Sequence, residues 1–553
     1  MDINKIPFFI KNKKYPIGVF VVFLFHVFSI SYWLYIDKSQ PSWGDQTDYL
    51  LRTFTFYDNL SFTSFEDLKK ILFTSGLRPP LFMYLPSIFY LFNYSIDAAI
   101  STNIIFLFIL YFSTYGIGKN ISNRKVGLLS VLIISFFPMI YGMSRNFLLD
   151  FPLTAMFSLS IYLLILSNNF KHKKYSVLLG FVIGLSMLVK WSFPIFFLYP
   201  FYFILKRIKI LNIIFKHKNY QLKNILITIF IAVLTCSYWY LPNLLNILEV
   251  FTLSAPGSDV IPLFGLSGVF NLKSFLFYTI GIINHIGSFS FMIVFIIGLF
   301  FYKKFDDNDK LFIGNIAFVL VFFTILIENK EFRYVLPLSP LFAVFISKTL
   351  LCFISENKIR IFSICLVISI SIVQFFYISF GKKSFEINFS VPTFLEDPLS
   401  TIILFSKNHR YGYNGYEHSW IEAPSNEEWK TVEILNSIQL NSDSKKEIPK
   451  LFIIPFLEKF QIGHFKLYAK MKGINISLTH RNRKFEDFKK QMVNYDFIVS
   501  KTGNINDFHG VDDNIKDINN FFNFNCRDNF EIIDSFLLPD NSLAFLYKNI
   551  FYE

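Results

Sequence analysis

Cysteine is scarce in this sequence, which has four cysteines among 553 residues. Cys236, Cys352 and Cys365 fall inside apolar runs, and Cys526 lies near the end of the chain. No two of them are spaced as CxxC, and no histidine-rich stretch lies beside them. The pattern argues against a disulfide-stapled scaffold and against a cysteine-ligated metal centre.

Charged residues are also few. Asp, Glu, Lys and Arg make up 17% of the chain, whereas 53% of residues are hydrophobic and 73 are phenylalanine. The net charge of +13 raises the question of nucleic-acid binding. The basic residues, however, cluster beside the ends of apolar runs, as Lys and Arg do in the cytoplasmic loops of membrane proteins. The composition therefore predicts a polytopic membrane protein with no nucleic-acid partner.

The sequence predicts an uncleaved first helix rather than a cleavable signal peptide, since the first apolar run, 17–36, is long enough to remain as a span. Four lysines precede this run and predict a cytoplasmic N-terminus in the inner (plasma) membrane, with the loop 37–80 outside. The piece 81–93 is too short to cross and is predicted to be interfacial. At roughly 20 residues a span, the pattern predicts about 11 transmembrane helices. They are 17–36, 97–117, 126–143, 151–168, 176–189, 193–205, 224–241, 274–302, 311–327, 334–353 and 361–380.

The composition becomes mixed polar and apolar after Gly381, which predicts a membrane domain at 1–380 and an outward-facing soluble domain at 381–553. Alternating strand and helix patterns predict that this small C-terminal domain is α/β. It contains no glycine-rich phosphate loop, so a supporting or acceptor-binding role is expected. The predicted strands are 451–455, 474–479, 495–500, 531–537 and 542–547, and the predicted helices are 464–472 and 485–493.

Acidic residues stand in two predicted outer loops. Asp45 and Asp48 lie in the run Trp43-Gly44-Asp45-Gln46-Thr47-Asp48-Tyr49, and Asp150 lies in the short loop that also holds Arg145. Carboxylates at a membrane surface serve as general bases or bind divalent cations. Taken alone, the first run is more often an ordinary solvated loop. Asp150, followed by Phe and Pro, is equally typical of a helix N-cap.

Basic and aromatic residues at the same predicted face are candidates for binding a lipid phosphate, because Arg offers a planar fork and Lys a mobile point charge. Charges beside spans usually face a cavity or a partner. Arg78 is also typical of an anchor to lipid headgroups, and a histidine placed as His285 is more often packed or interfacial. The candidates are Arg78, Lys190, His285 and Arg333-Tyr334.

This arrangement resembles the GT-C glycosyltransferases, in particular the branch of dolichyl-phosphate-mannose–protein mannosyltransferases that includes the aminoarabinose transferase of lipid A. No single motif is specific, but the ordered set on a matching topology is typical of the family. The resemblance extends from about Trp43 to Pro340 and rests on Asp45 to Tyr49, Arg78-Pro79-Pro80-Leu81, Arg145 with Asp150, Gly184 to Lys190, and Arg333-Tyr334.

The resemblance implies inverting transfer of a sugar from a polyprenyl-phosphate carrier to a hydroxyl or phosphate of a protein, lipid or glycan. Asp45 and Asp150 would be catalytic, and Arg78, Lys190 and Arg333 would contact the carrier phosphate. Asp48, Tyr49, Arg145, His285 and Tyr334 complete the expected substrate-binding set. The family often has Asp-Glu where this chain has Asp45-Gln46, which puts metal binding in doubt and leaves a divalent cation (Mg²⁺ or Mn²⁺) open as cofactor.

Three other functions are open. A transporter or flippase of lipid-linked sugars would also have many spans, but it predicts internal repeats and charges at the bilayer midplane, neither of which is visible here. An oligosaccharyltransferase would carry a Trp-Trp-Asp-Tyr-Gly motif in its outer domain, and this chain has none. A non-catalytic scaffold would leave Asp45 and Asp150 without a shared role.

Overall fold

The computed structural model describes two compact units. The helical unit comprises Met1–Trp33, Ser64–Asn408 and Ser419–Ala423, and the sheet unit comprises Leu34–Thr63, His409–His418 and Pro424–Glu553. The residues that the structure describes are 6–42, 44–60, 66, 78–209, 220–253, 272–301, 305–327, 330–353, 356–381, 387–390, 401–404, 423–442, 448–478, 494–507 and 514–551.

Helices dominate, as expected where backbone groups must find hydrogen-bond partners within their own segment. In the described residues six helical segments are long and apolar enough to cross a membrane, so the chain is an integral multi-pass protein. The α-helices are α1 (Ile6–Ile36), α2 (Gly44–Asp58), α3 (Leu81–Tyr84), α4 (Pro86–Tyr90), α5 (Ile96–Ser101), α6 (Asn103–Ile121), α7 (Arg124–Ser135), α8 (Pro138–Met143), α9 (Asp150–Leu166), α10 (Lys173–Val189), α11 (Phe193–Arg207), α12 (Tyr220–Leu253), α13 (Leu272–Gly281), α14 (Phe289–Phe301), α15 (Asp307–Leu326), α16 (Ser339–Lys348), α17 (Asn357–Phe380), α18 (Thr431–Asn441), α19 (Ile462–Lys472) and α20 (Asn514–Phe521).

Two predicted spans are interrupted by a proline or by a π-helical turn. The span predicted at 126–143 divides into α7 and α8 because Phe137 precedes a proline and takes an extended conformation. The span predicted at 274–302 divides into α13, a π-helical turn at Ile282–Ile286 and α14, with Ser288 at a positive φ of 59°. A third predicted span, 334–353, begins as the 3₁₀ helix Phe332–Leu338 and ends in the π-helical turn Thr349–Phe353.

Helix α9 is buried along most of its length and packs against α6 and α10. Helix α10 in turn packs closely on α12, because Gly180 and Gly184 present no side chain there. A Cβ atom on Gly180 would lie 2.5 Å from the Thr228 carbonyl oxygen, and one on Gly184 2.5 Å from the Thr235 Cβ atom. Small residues four apart are a common way for membrane helices to approach.

The sheet unit contains a five-stranded mixed sheet. Residues of β5 alternate between the two faces: Phe497 and Val499 join the core on one side, and Ile498 the core on the other. The helix predicted at 485–493 lies outside the described residues. Two antiparallel strands, β1 (Ile387–Ser390) and β2 (Thr401–Leu404), belong to the helical unit. The sheet consists of β3 (Lys450–Ile453), β4 (Ser477–Leu478), β5 (Phe497–Lys501), β6 (Phe530–Leu537) and β7 (Leu543–Asn549) in the order β4-β3-β5-β7-β6, parallel from β4 to β5 and antiparallel thereafter.

Part of the first predicted outer loop belongs to the same compact unit as the C-terminal residues. Residues Leu34–Thr63, with α2, fold with the C-terminal residues in the sheet unit. His464 Nε2 hydrogen-bonds the Pro41 carbonyl oxygen at 2.8 Å, and Lys470 Nζ lies 2.7 Å from an Asp58 carboxylate oxygen. Contacts between residues so far apart in sequence fix α2 against α19.

Candidate functional site

Four charged residues converge in the helical unit. Asp150 is the first residue of α9, and Lys190 directly follows α10. Arg333 is the second residue of the 3₁₀ helix Phe332–Leu338, and Glu331 directly precedes that helix. The predicted residues Asp150, Lys190 and Arg333 thus belong to one cluster, although they come from three separate segments.

In this cluster each positive side chain lies beside a negative one. Lys190 Nζ donates to Asp150 Oδ1 at 2.6 Å, and Arg333 Nη1 lies 3.8 Å from Asp150 Oδ2. Arg333 also donates from Nη2 to Glu331 Oε1 at 2.9 Å, and from Nε to Glu331 Oε2. The side chains of Asp150, Lys190, Arg333 and Glu331 are 2%, 14%, 6% and 9% exposed, so each charge has lost most of its water and depends on these partners.

An aromatic ring lies against both cations. Lys190 Nζ is 5.0 Å from the centroid of the Tyr334 ring, and Arg333 Cζ is 5.7 Å from it. The electron-rich face of a tyrosine attracts a cation at this range, most strongly where water is excluded. Tyr334 therefore joins the predicted site through its ring.

Three neighbouring contacts hold the segment that carries Glu331 and Arg333. Lys330 Nζ donates to the Thr324 carbonyl oxygen at 3.2 Å, and thereby satisfies an acceptor at the end of α15. Phe332 stacks on Phe277 with ring centroids 4.0 Å apart. It also fills the space beside Gly281, where an added Cβ atom would meet its ring at 2.0 Å. The backbone of this segment is thus fixed on both sides of Glu331.

The cluster can bind an anionic oxygen and stabilise charge that develops on it. Two cations converge on one carboxylate in a site with little water, where electrostatic interactions are strong. Asp150 interacts with both cations through its two oxygens, which suits it to hold Lys190 and Arg333 in place. Sequence reasoning missed Glu331, although a buried Arg needs a counter-ion and Glu331 stands two residues before Arg333.

Arg145 lies in different surroundings. It is 2% exposed and donates from Nη2 to Ser379 Oγ at 2.9 Å. Its Cζ lies 5.5 to 5.8 Å from the centroids of four aromatic rings on α1, α8 and α17. Among the residues that the structure describes, no carboxylate pairs with Arg145. The rings are those of Trp33, Tyr141, Phe375 and Phe380.

The first-loop candidates belong to the sheet unit. Asp45 lies in the first turn of α2, and Tyr49 is buried on the same helix. Asp48 Oδ2 accepts from Arg52 Nε at 2.8 Å and remains partly exposed. Burial lowers the pKa of Lys466 on α19, and the nearby Asp48 carboxylate opposes that shift.

The roles predicted for Arg78, His285 and a divalent cation stay predictions. Arg78 is half-buried and lies just before α3, the short helix predicted to be interfacial. Trp43 and the side chain of His285 lie outside the described residues. Within the described part of the chain, no group of three or more His, Cys, Asp or Glu side chains is arranged to hold a metal ion. A role for a divalent cation stays a prediction.

Comparison with known proteins gives one family match and several structural matches. Residues 77–239, less than a third of the chain, match the model of the dolichyl-phosphate-mannose-protein mannosyltransferase family. A search of curated proteins finds no match.

Among solved structures, ArnT from Cupriavidus metallidurans in the apo state is 11% identical with a TM-score of 0.56, covering 96% of this chain and 98% of that chain. The same protein bound to undecaprenyl phosphate gives 11% and 0.55 over the same shares. The archaeal oligosaccharyltransferase AglB from Archaeoglobus fulgidus, in complex with an inhibitory peptide and a dolichol-phosphate, is 12% identical with a TM-score of 0.50, covering 89% of this chain and 70% of that chain. These similarities confirm the predicted GT-C fold class and the resemblance drawn from the sequence, whereas the number of about 11 spans stays a prediction.

Proposed function

We propose that this chain, an integral membrane protein with the GT-C fold whose residues 77–239 match the protein mannosyltransferase family, transfers a sugar from a polyprenyl-phosphate carrier to an acceptor. The observation that carries the proposal is the buried cluster in which Lys190 and Arg333 converge on Asp150. The phosphate of a lipid carrier is an anion suited to both cations. The polyprenyl phosphates bound to ArnT and AglB support this choice of donor.

The proposed reaction breaks the bond between the anomeric carbon and the carrier phosphate oxygen. An acceptor oxygen forms the new bond to the same carbon from the opposite side, with inversion, and its proton passes to a carboxylate. Negative charge grows on the departing phosphate, so fixed cations stabilise the transition state more than the bound donor. In this proposal Lys190 and Arg333 receive the phosphate, and Asp45 accepts the proton.

The remaining candidates keep supporting roles in the proposal. Asp150 positions the two cations, and Tyr334 shapes the pocket around them. Asp48, Tyr49, Arg78 and His285 contact donor or acceptor on the outer face of the inner (plasma) membrane. The sugar, either a hexose or a pentose, is left to experiment.

The test compares two buried carboxylates that each pair with a lysine. Purified full-length protein in detergent is offered a panel of radiolabelled polyprenyl-phosphate sugars, and sugar release is measured for wild type, Asp150→Asn, Asp45→Asn and Asp309→Asn. Asp309, near the start of α15, is the matched control. Its side chain is 1% exposed, and a carboxylate oxygen lies 2.8 Å from Lys348 Nζ. We expect one donor to be consumed and Asp150→Asn to lose about 100-fold or more of the rate.

Equal activity losses in Asp150→Asn and Asp309→Asn would contradict the proposed site, since both variants lose a buried ion pair. Retained activity in Asp45→Asn would remove that residue from proton transfer. If wild type consumes no donor but carries a lipid-linked sugar across liposomes, the chain is a transporter instead.

A further inference from the structure

We infer that Glu331 is a positioning residue for the proposed reaction: it holds the guanidinium of Arg333 so that the Nη1 edge faces Asp150. The inference rests on the proposed function and adds a residue that the sequence did not single out. Glu331 and Arg333 are both buried, at 7% and 5% exposure of the whole residue. A buried pair of this kind has little freedom to exchange its partners with water.

The geometry of the pair fixes the orientation of the guanidinium. Glu331 accepts from both Nε and Nη2, which is the side-on, two-bond arrangement of an arginine and a carboxylate. Rotation of the guanidinium plane would break at least one of these bonds. The Nη1 group is thereby left pointing to the other side, 3.8 Å from Asp150 Oδ2.

The backbone makes this pairing possible. Glu331 has an extended conformation, with φ of −137° and ψ of 144°, and directly precedes the 3₁₀ helix that carries Phe332 and Arg333. Phe332 points into its stack with Phe277, while Glu331 and Arg333 meet each other. Lys330 is bonded to α15 through its ammonium group and holds the start of the segment. The carboxylate of Glu331 therefore comes from a fixed position.

The consequence for the site is a division of the guanidinium into two edges. Glu331 accepts hydrogen bonds from the Nε and Nη2 edge. The Nη1 edge is directed at Asp150 and, in the proposed reaction, at the carrier phosphate. Without Glu331, Arg333 would be drawn fully onto Asp150 and would compete with Lys190 for its oxygens. A displacement of about 1 Å in a group that stabilises the transition state can lower the rate by about 100-fold.

The experiment separates positioning from stability. Glu331→Asp keeps the negative charge but shortens the side chain by one methylene, and Glu331→Gln keeps the shape but removes the charge. Both are compared with wild type and with Asp309→Asn, which removes a buried ion pair at the opposite end of α15, roughly 30 Å away. The readouts are thermal stability, and kcat and KM for the donor that the wild type consumes.

We expect Glu331→Asp to retain the thermal stability of the wild type and to lose about 10-fold to 100-fold in kcat, with donor KM changed by less than about threefold. Glu331→Gln is expected to lose stability to the same extent as Asp309→Asn, but to lose far more activity. Normal kcat in Glu331→Asp, or a loss in Glu331→Gln no larger than in Asp309→Asn, overturns the inference. A lower donor KM in Glu331→Gln also overturns it, because Glu331 would then compete with the phosphate.

If the wild-type protein consumes no donor, the proposed function fails, but the positioning of Arg333 by Glu331 is still open to test. In that case binding of undecaprenyl phosphate to the same variants is measured. Unchanged affinity in both Glu331 variants would then overturn the positioning role for a carrier phosphate.

Discussion

Two buried arginines of the helical unit show how differently a single guanidinium can be accommodated. Arg333 meets two carboxylates, whereas Arg145 meets four aromatic rings and a serine hydroxyl. Sequence reasoning placed both in the substrate-binding set, because both stand at predicted outer ends of spans. The contacts of Arg145 instead favour a structural role, in which it joins the ends of α1, α8 and α17.

Arg145→Met is therefore expected to keep both stability and activity, since an apolar side chain of similar length can replace a buried charge among aromatic rings. Arg145→Ala is expected to lower the stability by about 2–5 kcal/mol, because it leaves a cavity. Thermal unfolding and donor turnover of the two variants provide the measurement. A folded Arg145→Met protein without activity would support the substrate-binding role predicted from the sequence.

At this scale the sequence could predict residues but not their pairing. Asp150, Lys190 and Arg333 were identified singly, because a charge beside a span is itself unusual. Their meeting depends on how α9, α10 and the segment before α16 pack, and that information lies in side-chain shapes spread over the helices. Glu331 was missed because its hydrogen bonds to Arg333 depend on a short 3₁₀ helix that begins at Phe332, before the predicted span 334–353.

At the scale of helices, prolines explain two differences between the predicted and the observed spans. The predicted span 224–241 ends before Pro242, since proline interrupts helical hydrogen bonding. The observed helix α12 continues through Pro242 to Leu253, and the Asn243 side chain donates to the Trp239 carbonyl oxygen at 2.8 Å. By contrast, the break at Phe137-Pro138 follows the rule that the residue before proline avoids the helical region. Local rules thus mark where a helix can end, but not where it must.

The packing of α10 on α12 makes a prediction for Gly184. A Cβ atom there would meet Thr235 Cβ at 2.5 Å and the Ala232 carbonyl oxygen at 2.8 Å, so the helices must separate. We expect Gly184→Ala to destabilise the protein by about 1–3 kcal/mol and to lower activity, because Lys190 directly follows α10. The measurement is denaturant unfolding combined with donor turnover.

The control is Gly18→Ala on α1, where the new Cβ atom would lie 3.1 Å from the end of the Leu128 side chain, which can rotate away. Its stability should stay within about 0.5 kcal/mol of wild type. Equal effects of the two substitutions would show that the contact between α10 and α12 is looser than the distances indicate.

At the scale of the whole chain, the predicted boundary at residue 380 reflects a change of composition, whereas the compact units reflect contacts. Residues Leu34–Thr63 precede most of the helical unit in sequence and yet fold with Pro424–Glu553. The sequence of the first loop does not predict this packing, because its partners on α19 lie hundreds of residues away. The α/β class of the C-terminal residues was predictable, since alternation along strands such as β5 is a local property.

The bond between His464 and Pro41 makes the stability of this unit depend on pH. Burial lowers the pKa of His464 to about 4, because the charged ring would lose its water. In the neutral ring Nε2 donates to the Pro41 carbonyl oxygen, and Nδ1 accepts from the Gln461 amide at 3.3 Å. The unfolded chain, with a histidine pKa near the ordinary value of about 6.5, binds the proton more strongly.

The contribution of neutral His464 is therefore fully present above about pH 6.5 and is lost as the pH falls toward 4, by about 3 kcal/mol in total. Hydrogen exchange of the full-length protein, followed in peptides from α2 and α19 at pH 7.5 and pH 5, measures the local stability after correction for the intrinsic exchange rate. We expect wild type to lose protection at pH 5. His464→Gln should be less protected at pH 7.5 but should show a smaller further loss, because it cannot titrate. Parallel losses in both proteins would assign the acid sensitivity to other groups and leave His464 with a packing role alone.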